Sequence, residues 1–150
     1  MDGAFCSRTR QGGWGFIIRD HLGIMIAGGA GPSPCLVSAE HAEAIACSKA
    51  VEFAQVQGFS HAILETDALE VKRQLDCFDS SNTSVLGRLY DDLKFHIRDQ
   101  GLWKVSHTHR LGNIAAHSLA AHACSLLRDE FYFSTPSFLA AVVTAEQCIM

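Results

Sequence analysis

Two apolar, β-branched runs, GWGFIIRD (13–20) and IMIAGGAG (24–31), are separated only by a turn at D-H-L-G (20–23), where Gly23 supplies a permissive backbone. This pattern specifies a β-hairpin over residues 13–31. The glycine-rich second run has neither a G-K-S/T ending nor G-x-G-x-x-G spacing, so it reads as strand and strand end rather than as a phosphate loop. After the connector PSPCLVS (32–38), residues 39–57 contain no glycine or proline. There Ile45, Ala46, Ala50, Phe53 and Ala54 recur on one face at helical spacing. Ser38 stands in the capping position, with His41 where a capping box prefers Glu, and Gly58 ends the helix. HAILET (61–66) reads as a short strand and ALEVKRQLDCF as a helix. Residues 80–83 form a polar loop. Residues 84–100 form a helix with Leu86, Leu89, Tyr90, Leu93 and Ile97 on one face, ended by Gly101. LWKVSHTHR (102–110) alternates as a strand, and 113–128 is an alanine- and leucine-rich helix. A hairpin followed by strands that alternate with helices implies a mixed sheet covered by helices.

The 150 residues suit one core, with a domain over 1–128 and an aromatic tail over 129–150 that packs on it or extends it. Twelve basic residues against 16 acidic ones give no electrostatic footprint for nucleic acid, so such a partner would need local basic patches or cations held by the acidic groups. Six cysteines without a C-x-x-C pair argue against a zinc ribbon. With no signal peptide, they read as reduced thiols of a nuclear or cytosolic protein. FLAAVV is too short to span a bilayer, Cys148 is misplaced for a prenylation box, and the sequon at 82–84 means little without a secretory signal.

Three acidic residues fall at element ends. Asp2 precedes the hairpin, Glu43 lies early in the first long helix within S-A-E-H-A-E-A, and Asp67 ends I-L-E-T. Singly, each has an ordinary reading: a terminal charge, a solvated helix residue like Glu40, and a helix cap. Together they can converge, and converging carboxylates repel unless cations lie between them. Hard divalent cations prefer oxygen ligands. Two such ions, roughly 3.5–4 Å apart, activate water and stabilise the leaving oxygen in phosphodiester cleavage.

DGAF, GFIIRDHLGIMIAGGAG, HAEAIACSKAVEFAQVQGFSHAILETDALEV and HTHRLGNIAAHSLA together resemble the ribonuclease H-like domain, in its plant reverse-transcriptase-like branch. The likeness reaches into the tail at STPSFL. The resemblance implies an α/β fold with a five-stranded mixed sheet flanked by helices. It also implies metal-dependent endonucleolytic cleavage of the RNA strand of RNA–DNA hybrids. It makes Asp2, Glu43 and Asp67 ligands of Mg²⁺, with Mn²⁺ acceptable. The fourth site position falls on His117, and Asn113 helps to position that segment. Arg8, Arg10, Lys72, Arg73, His109, Arg110 and Asn113 are candidate contacts to an RNA–DNA hybrid or structured RNA. No membrane partner is expected, a protein partner would use the tail, and the chain is expected to be a monomer.

Two departures qualify the resemblance. His117 replaces a carboxylate, which leaves about one positive charge of two divalent cations uncompensated. It stands either as a weaker ligand or as a packed, hydrogen-bonded side chain. In the family, moreover, the strand bearing the first aspartate begins several residues earlier. A strand cut short at Asp2 loses ladder bonds and leaves its ligand loosely held, unless the chain is a fragment of a longer protein. These departures keep a second function open: a retroelement-derived nucleic-acid-binding or protein-interaction module without turnover. His107 and His109 share a strand face and lack further transition-metal ligands, so phosphate contact or surface exposure is expected of them.

Overall fold

The computed structural model describes residues 1–77 and 84–147. The polar loop at 80–83, the sequon, the expected last helical residue Phe78 and Cys148 lie wholly or partly outside the described residues. Strands β1 (Asp2–Cys6), β2 (Gln11–Arg19) and β3 (Met25–Ser33) form an antiparallel meander, with Asp2 opposite Gly15 and Trp14 opposite Gly31. The expected turn is held by Asp20, whose Oδ1 accepts from the backbone N–H of Leu22 and of Ile24, each at 2.9 Å. Helix α1 (Ala39–Val56) follows, capped by Ser38, whose Oγ accepts from His41 N at 3.1 Å. The side chain of His41 reaches back to Val37 N, a close relative of the expected box. Gly58 ends this helix at φ +76°, a conformation that costs an L side chain energy.

The chain continues through β4 (Ala62–Thr66), α2 (Leu69–Asp76), α3 (Gly87–Asp99) and β5 (Trp103–His107). A 3-10 turn (Arg110–Gly112) then leads into α4 (Ile114–Ala123). β4 and β5 pair in parallel. Backbone ladders divide the strands into a four-stranded sheet, β1-β2-β3-β6, and the β4-β5 pair. They are joined by a hydrogen bond from Met1 N to Glu65 O, 3.1 Å. Strand β6 (Glu130–Tyr132) comes from the tail and extends the sheet along β3, with Phe131 opposite Gly29. The tail then enters a second 3-10 turn (Ser137–Leu139) and α5 (Ala140–Gln147). This is the helix-flanked α/β fold that the sequence implies, with β6 from the tail added as a sixth strand to the expected five.

The two sheet faces are packed differently. On one, Trp14, Phe16 and Ala27 meet Phe53 and Val51 of α1, backed by Tyr90 and Leu93 of α3. Each large side chain buried there contributes roughly 2–3 kcal/mol. On the other, α4 lies almost directly on the strands. A Cβ added to Gly15 would sit 2.4 Å from Ala120 N and 2.7 Å from Ala116 O. Leu139 and Val143 of the tail close this second core against Ala115, Leu119 and Ala123.

Several boundaries differ from expectation, among them the start of α3 at Gly87 rather than at residue 84. Pro32 and Ser33 belong to β3 rather than to the connector. β5 stops at His107, so His109 shares no strand face with it. Thr108 N still bonds Thr66 O, after which the chain turns. α4 stops at Ala123, where tight bonds from Ser125 N to His122 O and Leu126 N to Ala123 O close the turn. Cys6, Cys35, Cys47 and Cys124 are unbridged thiols. No helix among the described residues is long and apolar enough to cross a membrane.

Candidate metal centre

Asp2, Glu43 and Asp67 converge, each offering a carboxylate oxygen within 4.8 Å of the others. Local sequence explains how. Asp2 opens β1 and Gly3 follows it. A Cβ on Gly3 would lie 2.3 Å from Ala42 C and 2.4 Å from Glu43 N, so only glycine lets α1 approach β1 this closely. Ala42 and Ala44, both fully buried, flank Glu43 with equally small side chains. Asp67 leaves β4 through a turn in which Thr66 Oγ1 accepts from Ala68 N at 3.1 Å.

The electrostatics of the cluster are those of crowded like charges. Burial, together with the nearby Asp2 and Asp67 carboxylates, pushes the Glu43 carboxyl up to about 9. One Glu43 oxygen, Oε2, is buried with no hydrogen-bond partner. An all-oxygen set with an unpartnered buried oxygen fits a hard divalent cation, which would remove both the repulsion and the unsatisfied acceptor.

Two residues of the α4 segment fasten this cluster. Asn113 is buried and donates from Nδ2 to Asp67 Oδ1 at 2.8 Å and to Met1 O at 3.0 Å, while its Oδ1 accepts from Met1 N at 3.3 Å. His117, half exposed, holds Asp2 Oδ2 through Nδ1 at 2.7 Å. Asp2 itself is 4% exposed and fully in register with β2. The expectation of a loosely held Asp2 is therefore corrected: pairing with β2 on one side and the bond to His117 fix it.

The remaining expected residues scatter. Asn113 is corrected as a nucleic-acid contact, since burial and its three hydrogen bonds engage its amide inside the protein. His109 caps the 3-10 turn by accepting from Leu111 N at 3.4 Å, and the exposed Arg110 follows it, both beside Asn113. His107 Nε2 lies 3.3 Å from Asp67 O. On α2, Lys72 pairs with Asp76, and Arg73 with Glu70 at 3.7 Å. Arg8 and Arg10 lie in the β1–β2 turn, roughly 13 Å or more along β1 from Asp2, and Arg10 Nε is engaged with Leu36 O. These two are not brought to the cluster.

Sequence reasoning missed Glu146. It is 2% exposed, accepts from Ala115 N at 3.0 Å and pairs with Arg19. Its signal was its place seven residues after Leu139 and three after Val143, on the apolar stripe of a short helix.

The fold has relatives among known proteins. The family model described as reverse transcriptase-like matches residues 1–123. The crystal structure of RNase H1 from the halophilic archaeon Halobacterium salinarum NRC-1 is similar at 25% identity, with a TM-score of 0.67, over 81% of this chain and 92% of that one. LC11-RNase H1, isolated from compost by a metagenomic approach, is similar in fold at 19% identity, with a TM-score of 0.74, over 82% and 91% of the two chains. Prototype foamy virus protease-reverse transcriptase shares the fold at 15% identity and a TM-score of 0.52, over 79% of this chain and 20% of that one. Comparison with curated proteins found no match.

Proposed function

The chain belongs to the reverse transcriptase-like family, and from that premise we propose that it is a metal-dependent ribonuclease that cuts the RNA strand of RNA–DNA hybrids. The observation that carries this reading is the convergence of Asp2, Glu43 and Asp67, together with a buried Glu43 oxygen that has no hydrogen-bond partner. Two relatives in fold are named as RNase H1 enzymes, which supports the same reading. Asp2, Glu43 and Asp67 would hold Mg²⁺ or Mn²⁺. When bound, a pair of such ions supplies an activated water and charge stabilisation at the leaving oxygen.

The protein's own side chains orient the site. Asn113 fixes the rotamer of Asp67 by donating to Oδ1. His117 donates from Nδ1 to Asp2 Oδ2 and so holds that carboxylate in place. His109 and Arg110, on the loop beside Asn113, are the contacts best placed for backbone phosphates, with Lys72 and Arg73 one helix away. Recognition then rests on phosphates, duplex shape and RNA 2′-hydroxyls more than on base sequence.

The test is cleavage of a hybrid carrying a labelled RNA strand, with Mg²⁺ and with Mn²⁺. Cation-dependent cleavage that disappears in Asp67→Asn is expected. A folded protein that cleaves with neither ion overturns the proposal. A second reading, a hybrid-binding module without turnover, is favoured by one contact: His117 already engages the Asp2 oxygen. It predicts hybrid binding that survives Asp67→Asn and no cleavage by either protein.

A further inference from the structure

Asparagine is among the best helix N-caps, because its side chain accepts from the free N–H groups of the first turn. Asn113 occupies the capping position of α4 and makes no such bond, since its amide is turned into the carboxylate cluster. The first turn of α4 is therefore left without its local cap. Glu146, 31 residues beyond Ala115, takes over. Its Oε1 accepts from Ala115 N at 3.0 Å, and its other oxygen pairs with Arg19 at the end of β2. A buried carboxylate at a helix N-terminus is also the sign that the helix dipole favours.

We propose that Glu146 is the long-range N-cap of α4 and, through it, a positioning residue for the carboxylate cluster. Capping by Glu146 lets Asn113 serve Asp67 instead of its own helix. It also holds the turn that delivers His117 to Asp2. The segment beyond residue 123, outside the family match, thereby becomes part of the support of the site. The positioning half of this proposal rests on the cation-site reading given above; the capping half does not.

The test removes the ion pair in two ways that differ only in the cap. Arg19→Met/Glu146→Gln keeps an oxygen acceptor for Ala115 N, whereas Arg19→Met/Glu146→Met has none. In the full chain, amide hydrogen exchange over residues 114–118 and affinity for Mn²⁺ alone are measured. The Gln pair is expected to keep wild-type protection and affinity within twofold. The Met pair is expected to exchange about tenfold faster at 114–118, with β1–β3 unchanged, and to bind Mn²⁺ about fivefold more weakly. Equal protection in the two pairs overturns the cap. Lost protection with unchanged Mn²⁺ affinity overturns the positioning role and leaves a structural cap. A wild-type protein that binds no Mn²⁺ overturns the cation site, and the positioning role with it, while the exchange contrast still decides the cap. Should either paired variant fail to fold, Glu146→Gln alone decides: wild-type exchange at 114–118 is expected, and faster exchange there overturns capping by the acceptor oxygen.

Discussion

On one face of the β1–β3 sheet, Trp14 stacks on Phe16 at 5.8 Å and Phe16 meets Phe53 of α1 at 5.2 Å. On the other, Gly13 and Gly15 let the backbone of α4 lie on the strands, with alanines between. Rings fill volume and can shift against one another. Backbone against backbone leaves no such slack. The aromatic face therefore supplies stability, and the small-residue face sets the position of Asn113 and His117 relative to Asp2. The carboxylate cluster sits where α1 and α4 both reach the start of β1, so the two faces can be perturbed separately.

The largest effect comes from the aromatic face. Phe16→Ala should cost about 4 kcal/mol and lower the melting midpoint by roughly 10 °C, because Phe16 is fully buried. Titration with Mn²⁺ well below the midpoint should give wild-type affinity within about twofold. A large loss of affinity would mean that both faces position the site.

Gly15→Ala should cost less stability, about 2–3 kcal/mol, and damage the site more. The added Cβ meets Ala120 N at 2.4 Å and Leu119 Cβ at 2.6 Å, so α4 has to back away from β2. Mn²⁺ affinity should fall by about tenfold, in the range seen when groups supporting metal ligands are disturbed. Thermal melting and cation titration on one preparation separate the two effects. Unchanged affinity would refute the claim that α4 spacing governs the cluster.

The same contrast explains what the sequence disclosed. The hairpin, α1 and the acidic series were legible because they are local: alternation, helical spacing and turn chemistry act over a few residues. IMIAGGAG could be recognised as a strand, yet its glycines gave no sign of which helix they admit. Asn113 was legible as part of a motif, but its engagement with Asp67 and Met1 depends on contacts 46 and 112 residues away in the chain. β6 was hidden because three residues, E-F-Y, are too few to show the alternation that marks a strand. Glu146 reads as an ordinary helix charge until Arg19 and Ala115 are placed beside it.

Glu43 connects the faces, since it rides on α1 and faces the cluster. In the cation-free protein, Glu43→Gln should raise stability by about 2 kcal/mol near neutral pH, roughly 5 °C in melting midpoint, because Glu43 must take up a proton to fold there and an amide need not. The sign follows from the raised carboxyl. The fold favours the protonated acid, so its contribution is complete below 4.5 and is lost as pH rises towards about 9. The advantage of Gln over Glu should grow across that window, and saturating Mg²⁺ should erase it. A constant difference between pH 5 and pH 9 would contradict the crowding argument.

The smallest expected change in stability tests the small-residue face most directly. His117 is half exposed, and its bond to Asp2 is worth about 1 kcal/mol because the histidine side of the pair is open to solvent. In the cation-free protein, His117→Asp replaces that bond with a repulsion and should cost about 1 kcal/mol, read from urea denaturation. With Mg²⁺ the balance reverses, because a fourth carboxylate supplies the charge that two divalent cations lack. Mg²⁺-supported cleavage should then rise, and the melting midpoint should increase with Mg²⁺ more steeply than in the wild type. This outcome requires α4 to hold position 117 within reach of the cations. If the spacing set by Gly13 and Gly15 is right for a ligand, the His117→Asp variant gains activity. If that spacing suits only a hydrogen bond to Asp2, activity stays level or falls, and His117 is a fastener of β1 rather than a member of the metal site.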